Sequence, residues 1–394
     1  MKFAVSKSGI KDALATVKNC VPDKPLSEVD GHIRVLIEEG SMTLSATEGM
    51  FSAKVTVSID IEGTLKEPLE FPVDPKRLEK SITKNESDIF VSMEWLGFDK
   101  GIRIYTRNAG KSYITLPVLE IRKMARFPKV SKYTPHQTCE APGELLGEAF
   151  SFVFPYLPAP REDGRSYDMA VIDKGVVYGC NGINKRGYMV AREFKEFRNL
   201  AIHKKYVLRL SKIFKSLKEK TFNVSHDDDR IIFESEGVYI LVMKSRKPSS
   251  EVATSYIKAE GPYTLIKKTS LIKSLDRSTI ASFEKVGHPI GVILNLVGNE
   301  DSACLNTQLV SGNDSDTVDE IPCDRLGDGD GSDISHVIDY KLFKGIINSL
   351  GAIDTLKLYI NDQDCKFFKA YGTRKLESTS CMFIGVGAYS RITR

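Results

Sequence analysis

The chain of 394 residues is too long for one ordinary domain, so two to four domains are expected. Apolar residues make up 41% and charged residues 27%, which excludes an intrinsically disordered chain, and no apolar stretch approaches the ~20 residues of a membrane span. The net charge of +4 is too small to indicate a partner by itself.

Taken in chain order, the predicted elements form the same series three times. Helices are predicted at 7–18, 74–84, 143–154, 203–220, 267–277 and 339–350. Each series contains two of these helices. Strand-like runs separate the first helix of a series from the second, and two strands follow the second. One of these runs, Ala53–Ile61, alternates between apolar and polar residues, as a half-buried strand does.

Equivalent positions in these series recur at almost constant spacing. Asp74, Tyr206 and Asp339 lie 132 and 133 residues apart, each at or near the start of the second helix of its series. Such a period is typical of repeated domains. We expect an α+β protein of three domains, at 1–133, 134–256 and 257–394.

Positive charge is concentrated on the predicted helices. The six segments hold 20 lysine and arginine residues against 8 acidic ones, whereas the whole chain holds 56 against 52. In 203–220 the apolar residues follow one helical stripe, and Lys205, Arg209, Lys212 and Lys215 follow another face. A solvated face explains one such helix, but five of six favour contact with a polyanion through its phosphates. The third helix, with Glu144 and Glu148, is the exception.

Catalytic and metal-binding signatures are absent from the sequence. There is no P-loop, no H-E-x-x-H, no G-x-S-x-G and no dinucleotide-binding glycine motif. The run at 226–229 falls between two predicted strands and favours a hairpin, and Asp328–Asp333 departs from a calcium loop. The seven cysteines are odd in number and none are spaced C-x-x-C, which favours free thiols. We expect a cytoplasmic protein with no cofactor and no metal.

Several segments resemble the bacterial-type DNA polymerase III β sliding clamp. They are Met1–Val5, Leu44–Glu48, Phe71–Val73, Gly110–Pro117, Phe127-Pro128 and, more weakly, the last strand Cys381–Ala388. The resemblance implies three tandem clamp domains per chain, with helices lining the inner face and antiparallel sheets forming the outer wall of a ring. It also implies a processivity factor that encircles duplex DNA without sequence preference and is not itself an enzyme.

The resemblance implies partners and residues for each surface. Double-stranded DNA would face Lys7, Lys11, Lys76, Arg77, Lys80, Lys205, Arg209, Lys212, Lys215, Lys267, Lys268, Lys273, Arg277 and Lys341. A replicative polymerase and a clamp loader would dock a peptide in a cleft formed by Cys180, Asn181, Gly182, Ile183, Pro248, Pro289, Asp339, Leu342, Met382, Phe383, Ile384, Gly385 and Val386. Two chains would join head to tail through Tyr113, Ile114 and Leu116 of one and Ile280 and Phe283 of the other.

Two departures from the family pattern concern the cleft. Cys180-Asn181-Gly182 stands where Thr-Asp-Gly is usual, and the chain continues to Arg394 beyond the last strand. Such divergence is typical of a phage-encoded clamp, which would act in a bacterium or an infected host cell. Two alternatives stay open: a non-ring protein that binds double-stranded DNA through the same repeats, and an enzyme with an unrecognised site.

Overall fold

The computed structural model describes residues 1–26, 29–49, 51–87, 89–107, 112–119, 137–158, 168–181, 185–245, 263–278, 291–298, 303–309, 318–326, 334–360, 367–376 and 379–388. The chain divides into two compact units, each built from two segments. The first unit comprises Met1–Glu148 and Lys205–Ser245, and the second comprises Ala149–Lys204 and Arg246–Arg394.

Six α-helices lie in the described part of the chain, all close to their predicted positions. They are α1 (Lys7–Val17), α2 (Pro75–Thr83), α3 (Gly143–Val153), α4 (Lys204–Ser216), α5 (Lys268–Ser278) and α6 (Tyr340–Ser349). Side-chain caps explain several of the starts. Asp74 accepts hydrogen bonds from the backbone N–H groups of Lys76 and Arg77 at 2.8 and 3.2 Å, and Asp339 accepts one from Leu342 at 2.7 Å.

The order of elements repeats along the chain. The strands of the first series are β1 (Lys2–Ser6), β2 (Ile33–Glu38), β3 (Ser41–Glu48), β4 (Phe51–Glu62), β5 (Leu69–Val73), β6 (Phe90–Gly97), β7 (Gly101–Tyr105) and β8 (Tyr113–Leu116). Those of the second are β9 (Gln137–Pro142), β10 (Met169–Asp173), β11 (Val176–Asn181), β12 (Lys185–Val190), β13 (Leu200–His203), β14 (Thr221–His226), β15 (Arg230–Ser235) and β16 (Val238–Met243). Each series therefore reads strand, helix, four strands, helix, three strands.

The third series follows the same order with one additional short strand. Its members are β17 (Tyr263–Lys267), β18 (Gly291–Val297), β19 (Cys304–Leu309), β20 (Val318–Pro322), β21 (Asp324–Leu326), β22 (Ile334–Asp339), β23 (Thr355–Tyr359), β24 (Phe367–Lys375) and β25 (Ser380–Ala388). The predicted domain boundaries, 133/134 and 256/257, lie outside the described residues.

The first unit contains one antiparallel sheet of 12 strands, whose main order is β8-β7-β6-β1-β4-β16-β15-β14-β9. β4 alternates as predicted: Val55 and Ile59 are buried, and Lys54, Thr56 and Ser58 are exposed. At its upstream end β4 also pairs with β16. The sheet is thus continuous from the first series of elements into the second.

Helix α4 contributes to the core of the first unit. The ring of Phe214 packs edge-on against Phe222 and Phe233, with centroids 5.0 Å apart in both pairs. Residues 227–229 form the turn between β14 and β15 in the predicted hairpin, and Asp227 accepts hydrogen bonds from the backbone N–H groups of Asp229 and Arg230.

The second unit contains a sheet of nine strands, in the order β13-β10-β11-β12-β25-β24-β23-β17-β21, and a sheet of four, in the order β20-β19-β18-β22. α3 and α6 pack against β25 of the larger sheet. A Cβ atom at Gly385 would lie 2.5 Å from Ile346 Cγ2, so only glycine allows α6 to approach this strand so closely.

Candidate functional site

Helix α4 has the amphipathic character that its sequence predicts. Tyr206, Leu210, Ile213 and Phe214 are buried along one stripe, whereas Lys212 and Lys215 are exposed. Lys212 and Lys215 therefore lie on the exposed side of α4, opposite its buried stripe.

Arg209 corrects the prediction that all the cations of α4 are exposed. Its side chain is only 11% exposed. The guanidinium donates a 2.7 Å hydrogen bond to Asp23 and a second, very short one to Glu48. Burial lowers the pKa of Arg209, but these hydrogen bonds outweigh it and raise the pKa overall. The charge of Arg209 is thus neutralised within the first unit.

Glu48 also contacts the preceding cation of the helix. Lys205 donates a hydrogen bond to the same carboxylate, which raises the pKa of Lys205. The Lys205 side chain remains 48% exposed, so part of it still reaches solvent. Sequence reasoning did not identify Asp23 and Glu48, because nothing local links them to a helix more than 150 residues later.

Two further cations on the predicted DNA surface have structural partners. The ammonium of Lys7 is buried and donates 2.8 Å hydrogen bonds to the carbonyls of Asn85 and Ser87. Lys268 donates to the carbonyl of Gly351, and partial burial lowers the pKa of Lys268. Lys7 is therefore buried and Lys268 half-buried, unlike the other cations expected to face DNA.

The remaining predicted cations are exposed. They are Lys11, Lys76, Arg77, Lys80, Lys205, Lys212, Lys215, Lys267, Lys273, Arg277 and Lys341. Arg77 also pairs with Asp74, and Arg277 pairs with Asp319 at 2.6 Å. Exposed cations thus lie on five of the six helices, and α3 is the exception, as the sequence indicates.

One face of the nine-stranded sheet carries a cluster of tyrosines and aliphatic residues, here called the tyrosine face. Its buried members are Met169, Val171, Val176, Tyr178, Tyr188, Ala201, Tyr371, Ile384 and Val386, with Val190, Tyr359 and Met382 partly buried against them. The rings of Tyr359 and Tyr371 meet edge-on at 5.1 Å. Burial raises the pKa of Tyr178 to about 12, so its hydroxyl stays protonated at neutral pH.

The tyrosine face includes part of the predicted partner cleft. Cys180 pairs with Arg186 across β11 and β12, and Arg186 pairs with Val386 across β12 and β25. Only one strand therefore separates Cys180 from Val386, and the two lie at the same level of the sheet. Burial raises the pKa of the Cys180 thiol, while the nearby Arg186 lowers it to a lesser extent.

The position of Phe383 differs from its predicted place in the partner cleft. Successive residues of a strand point to opposite faces, so Phe383 points away from Met382 and Ile384. Its ring packs edge-on against Phe152 of α3 with centroids 5.1 Å apart, and the side chain is 1% exposed. Gly385 lies on this same helix-facing side, next to Ile346. Phe383 and Gly385 therefore belong to the core under the sheet.

Other predicted cleft residues are either structural or outside the described chain. Asp339 caps α6, and Leu342, which donates the capping hydrogen bond, is half-buried. Asn181 ends β11. Gly182, Ile183, Pro248 and Pro289 lie outside the described residues.

The strand predicted to form one side of the dimer interface lies at a sheet edge. β8 ends the 12-stranded sheet and pairs with β7. Tyr113 is 51% exposed, and Arg103 stacks on its ring at 4.1 Å. Leu116 is buried, and Ile114 is half-buried. The predicted partners Ile280 and Phe283 lie outside the described residues.

Within the described ranges, no cluster of three histidine, cysteine, aspartate or glutamate side chains is placed to hold a metal ion. In the same part of the chain, no helix combines the length and apolar character needed to cross a bilayer.

Comparisons with solved structures agree on one fold. The chain is similar to the DNA polymerase sliding clamp of Bacillus subtilis (TM-score 0.76, 14% identity), to the DNA polymerase III subunit β of Pseudomonas aeruginosa (0.75, 14%) and to the DNA polymerase III β subunit of Thermotoga maritima (0.74, 14%). Each alignment covers 100% of both chains. A scan against protein-family models and a comparison with curated protein sequences find no match. Along its whole length, the chain has the α+β fold of the DNA polymerase III β sliding clamp, as the resemblance in the sequence predicted.

Proposed function

We propose that this chain is a DNA sliding clamp, a non-enzymatic processivity factor that holds a replicative polymerase on duplex DNA. The observation that carries the proposal is the likeness to β clamps over 100% of the chain at TM-scores of 0.74–0.76. The three domains would span 1–133, 134–256 and 257–394, and the repeated order of elements supports this division.

Duplex DNA would contact the exposed cations of α1, α2, α4, α5 and α6. Lysine and arginine side chains bind phosphates without reading bases, so each contact is equivalent along the duplex. A ring held by such contacts can slide, because it remains on DNA by enclosure rather than by affinity. Arg209, Lys7 and Lys268 are left out of this set because the first two are buried and Lys268 is half-buried, whereas the others are exposed.

Two chains would assemble head to tail through the edges of their sheets. An open edge strand offers unpaired backbone groups to another strand. β8 ends one described sheet, and β20 ends the four-stranded sheet. We infer that β8 of one chain pairs with β20 of the other. The predicted contact at Ile280 and Phe283 lies outside the described residues and stays a prediction.

The polymerase and the clamp loader would dock on the tyrosine face, near Cys180, Met382 and Val386. A few apolar anchors in a pocket usually supply most of the affinity of such peptides. Binding of the polymerase to a ring that cannot leave the DNA raises its effective concentration at the primer end.

A threading experiment tests the proposal without a loader. The protein is incubated with linear duplex DNA that is blocked at one end by streptavidin, and the other end is blocked either after or before the protein is added. We expect retention in 0.5 M NaCl only when the second block follows the protein, because a ring must thread over a free end. Equal retention in both orders, or none in either, contradicts the proposal.

A further inference from the structure

A second recognition site lies at one end of the tyrosine face. A cavity of about 410 Å³ opens there and shares Val190 and Met382 with that face. Three cations, Lys174, Arg192 and Lys195, line it together with apolar residues and two hydroxyl side chains. We call this cavity the basic end pocket.

The backbone around the pocket fixes the position of its first cation. Lys174 and Gly175 form the two-residue turn between β10 and β11, with φ angles of 49° and 85°. Glycine adopts positive φ freely, but a lysine is strained in this conformation. Asparagine or aspartate is usual at this position of such a turn. The strained backbone at Lys174 therefore suggests that its side chain has a role at the rim of the cavity.

Backbone hydrogen bonds hold this turn against the next loop. The N–H of Lys174 donates to the carbonyl of Phe197 at 2.7 Å, and the N–H of Gly175 donates to that of Phe194 at 2.9 Å. The N–H of Ala191 returns a 2.9 Å hydrogen bond to the carbonyl of Gly175. These contacts bring Lys174 to the same rim as Arg192 and Lys195 before any ligand binds.

The charge and polarity of the lining indicate what the pocket accepts. Lys174, Arg192 and Lys195 are exposed, and none of the described residues that line the pocket is a carboxylate. Glu193 and Glu196 belong to the same loop but do not line the cavity. Three cations around one cavity repel one another, and an anion placed between them removes that repulsion.

The floor of the pocket favours a peptide over a nucleic acid. Val190, Ala191, Cys381 and Met382 supply an apolar floor, and Thr373 and Ser380 supply hydroxyls at the rim. A peptide with an acidic side chain beside an apolar one satisfies both the cations and the floor. The phosphates of duplex DNA would satisfy the cations but would leave the floor in contact with water.

We propose that the basic end pocket binds an acidic side chain in the docking peptide of a partner, next to an apolar side chain that contacts the apolar floor of the same pocket. The inference rests on the proposed function, because it assigns a sequence preference to the same docking surface. Val190 and Met382 belong both to the pocket and to the partly buried margin of the tyrosine face, so a peptide in the pocket would lie beside the proposed docking surface.

The test uses defined peptides and fluorescence anisotropy. The probes are fluorescein-labelled acetyl-Glu-Glu-Leu-Phe-amide and its Gln-Gln counterpart, measured at 50 and 200 mM NaCl. We expect the wild-type protein to bind the acidic peptide at least ten-fold more tightly at 50 mM NaCl, and the difference to shrink at 200 mM because salt screens exposed charges. Equal binding of the two peptides, or no binding of either, overturns the proposal.

Two variants with the same change in net charge test whether the preference for the acidic peptide depends on the basic end pocket. Arg192→Glu/Lys195→Glu should remove the preference for the acidic peptide. Lys66→Glu/Lys100→Glu, at exposed lysines of the first unit, should retain it. Equal loss in both variants means a general effect of net charge and overturns the assignment. Lys195→Gln provides a milder variant if the double substitution lowers the melting temperature.

Competition with duplex DNA tests whether the pocket is instead a nucleic-acid site. The threading experiment separates failure of the pocket assignment from failure of the proposed clamp function. If a 20-bp duplex displaces the acidic peptide from the wild type, and Arg192→Glu/Lys195→Glu weakens duplex binding as well, the pocket is a nucleic-acid site and the proposal fails. If the wild type is retained on end-blocked DNA but does not discriminate between the peptides, only the pocket assignment fails. Loss of threading itself would instead contradict the proposed clamp function.

Discussion

The guanidinium of Arg209 is surrounded by carboxylates rather than by solvent. Glu48 is only 16% exposed and accepts hydrogen bonds from both Arg209 and Lys205, whereas Asp23 is 89% exposed. Burial raises the pKa of the Cys20 thiol, and the positive charge of Arg209 lowers it to a lesser extent. Arg209 therefore connects α4 to Glu48, the last residue of β3, and to Asp23, which follows α1.

Removal of Arg209 should destabilise the first unit. We expect Arg209→Ala to lower the free energy of unfolding by about 2 kcal/mol, because the half-enclosed Glu48 loses a charged hydrogen-bond partner. Lys212→Ala, at an exposed position of the same helix, should change it by less than about 0.5 kcal/mol. Urea unfolding followed by circular dichroism measures both. Similar midpoints for the two variants would show that Arg209 is not a structural residue.

Substitutions at the adjacent residues Phe383 and Met382 of β25 should also differ in how much they lower the stability. We expect Phe383→Ala to cost about 3–5 kcal/mol, because it leaves a cavity beside Phe152 in the core. Met382→Ala should cost less, since Met382 lies on the other face of the sheet and is only partly buried. Thermal unfolding of the two variants provides the comparison. A larger loss for Met382→Ala would mean that the two faces of β25 are reversed.

At the scale of elements, α4 is the most basic helix, and it still presents Lys212 and Lys215 to solvent. We expect Lys212→Ala/Lys215→Ala to weaken binding to duplex DNA. The slope of log K against log salt should fall by about 0.9 for each phosphate that the variant no longer neutralises. Stability should be almost unchanged. Anisotropy titrations of a labelled duplex from 50 to 200 mM NaCl measure the slope.

A matched pair of lysines controls for net charge. Lys66→Ala/Lys100→Ala removes two exposed lysines that belong to no helix. If this variant lowers the salt slope as much as Lys212→Ala/Lys215→Ala does, duplex binding depends on total charge and not on α4.

The helices could be predicted from the sequence because their signals are local. Apolar residues at helical spacing and an aspartate immediately before the first turn fix α2 and α6 within a few residues of their observed bounds. β4 was equally clear, because only one of its faces is buried. β25 was not, since Cys381, Phe383, Ile384 and Val386 are all buried and no alternation shows which face each one occupies.

The partners of the basic residues could not be predicted, because they are distant in sequence. Arg209 lies 161 and 186 residues from Glu48 and Asp23, and Lys7 lies 78 residues from Asn85. A helical pattern shows that a lysine or arginine is off the apolar stripe, but it does not show whether another segment packs over it. The basic end pocket could not be predicted for the same reason, since three separate hairpins and loops form it.

At the scale of the whole molecule, pairs of strands connect the three series of elements. β4 pairs with β16 over Phe51–Val55, and β12 pairs with β25 over all six of its residues. Within each sheet, the backbone groups of one series are therefore satisfied by the next. The main strand orders of the described sheets end at β8 and β9, at β13 and β21, and at β20 and β22. The proposed dimer uses two of these edges, β8 and β20.

Dimerisation through these edges should depend on β8. We expect Ile114→Glu to shift the mass in solution from two chains toward one at micromolar concentration, because a buried carboxylate at the new strand pair would lack a partner. Ile89→Glu serves as the matched control: Ile89 is 68% exposed and lies outside every strand. Light scattering coupled to gel filtration measures the mass, and circular dichroism confirms that the variant is folded. A folded Ile114→Glu dimer would place the interface elsewhere. A folded monomer that is no longer retained on end-blocked DNA would show that enclosure of the duplex requires both chains.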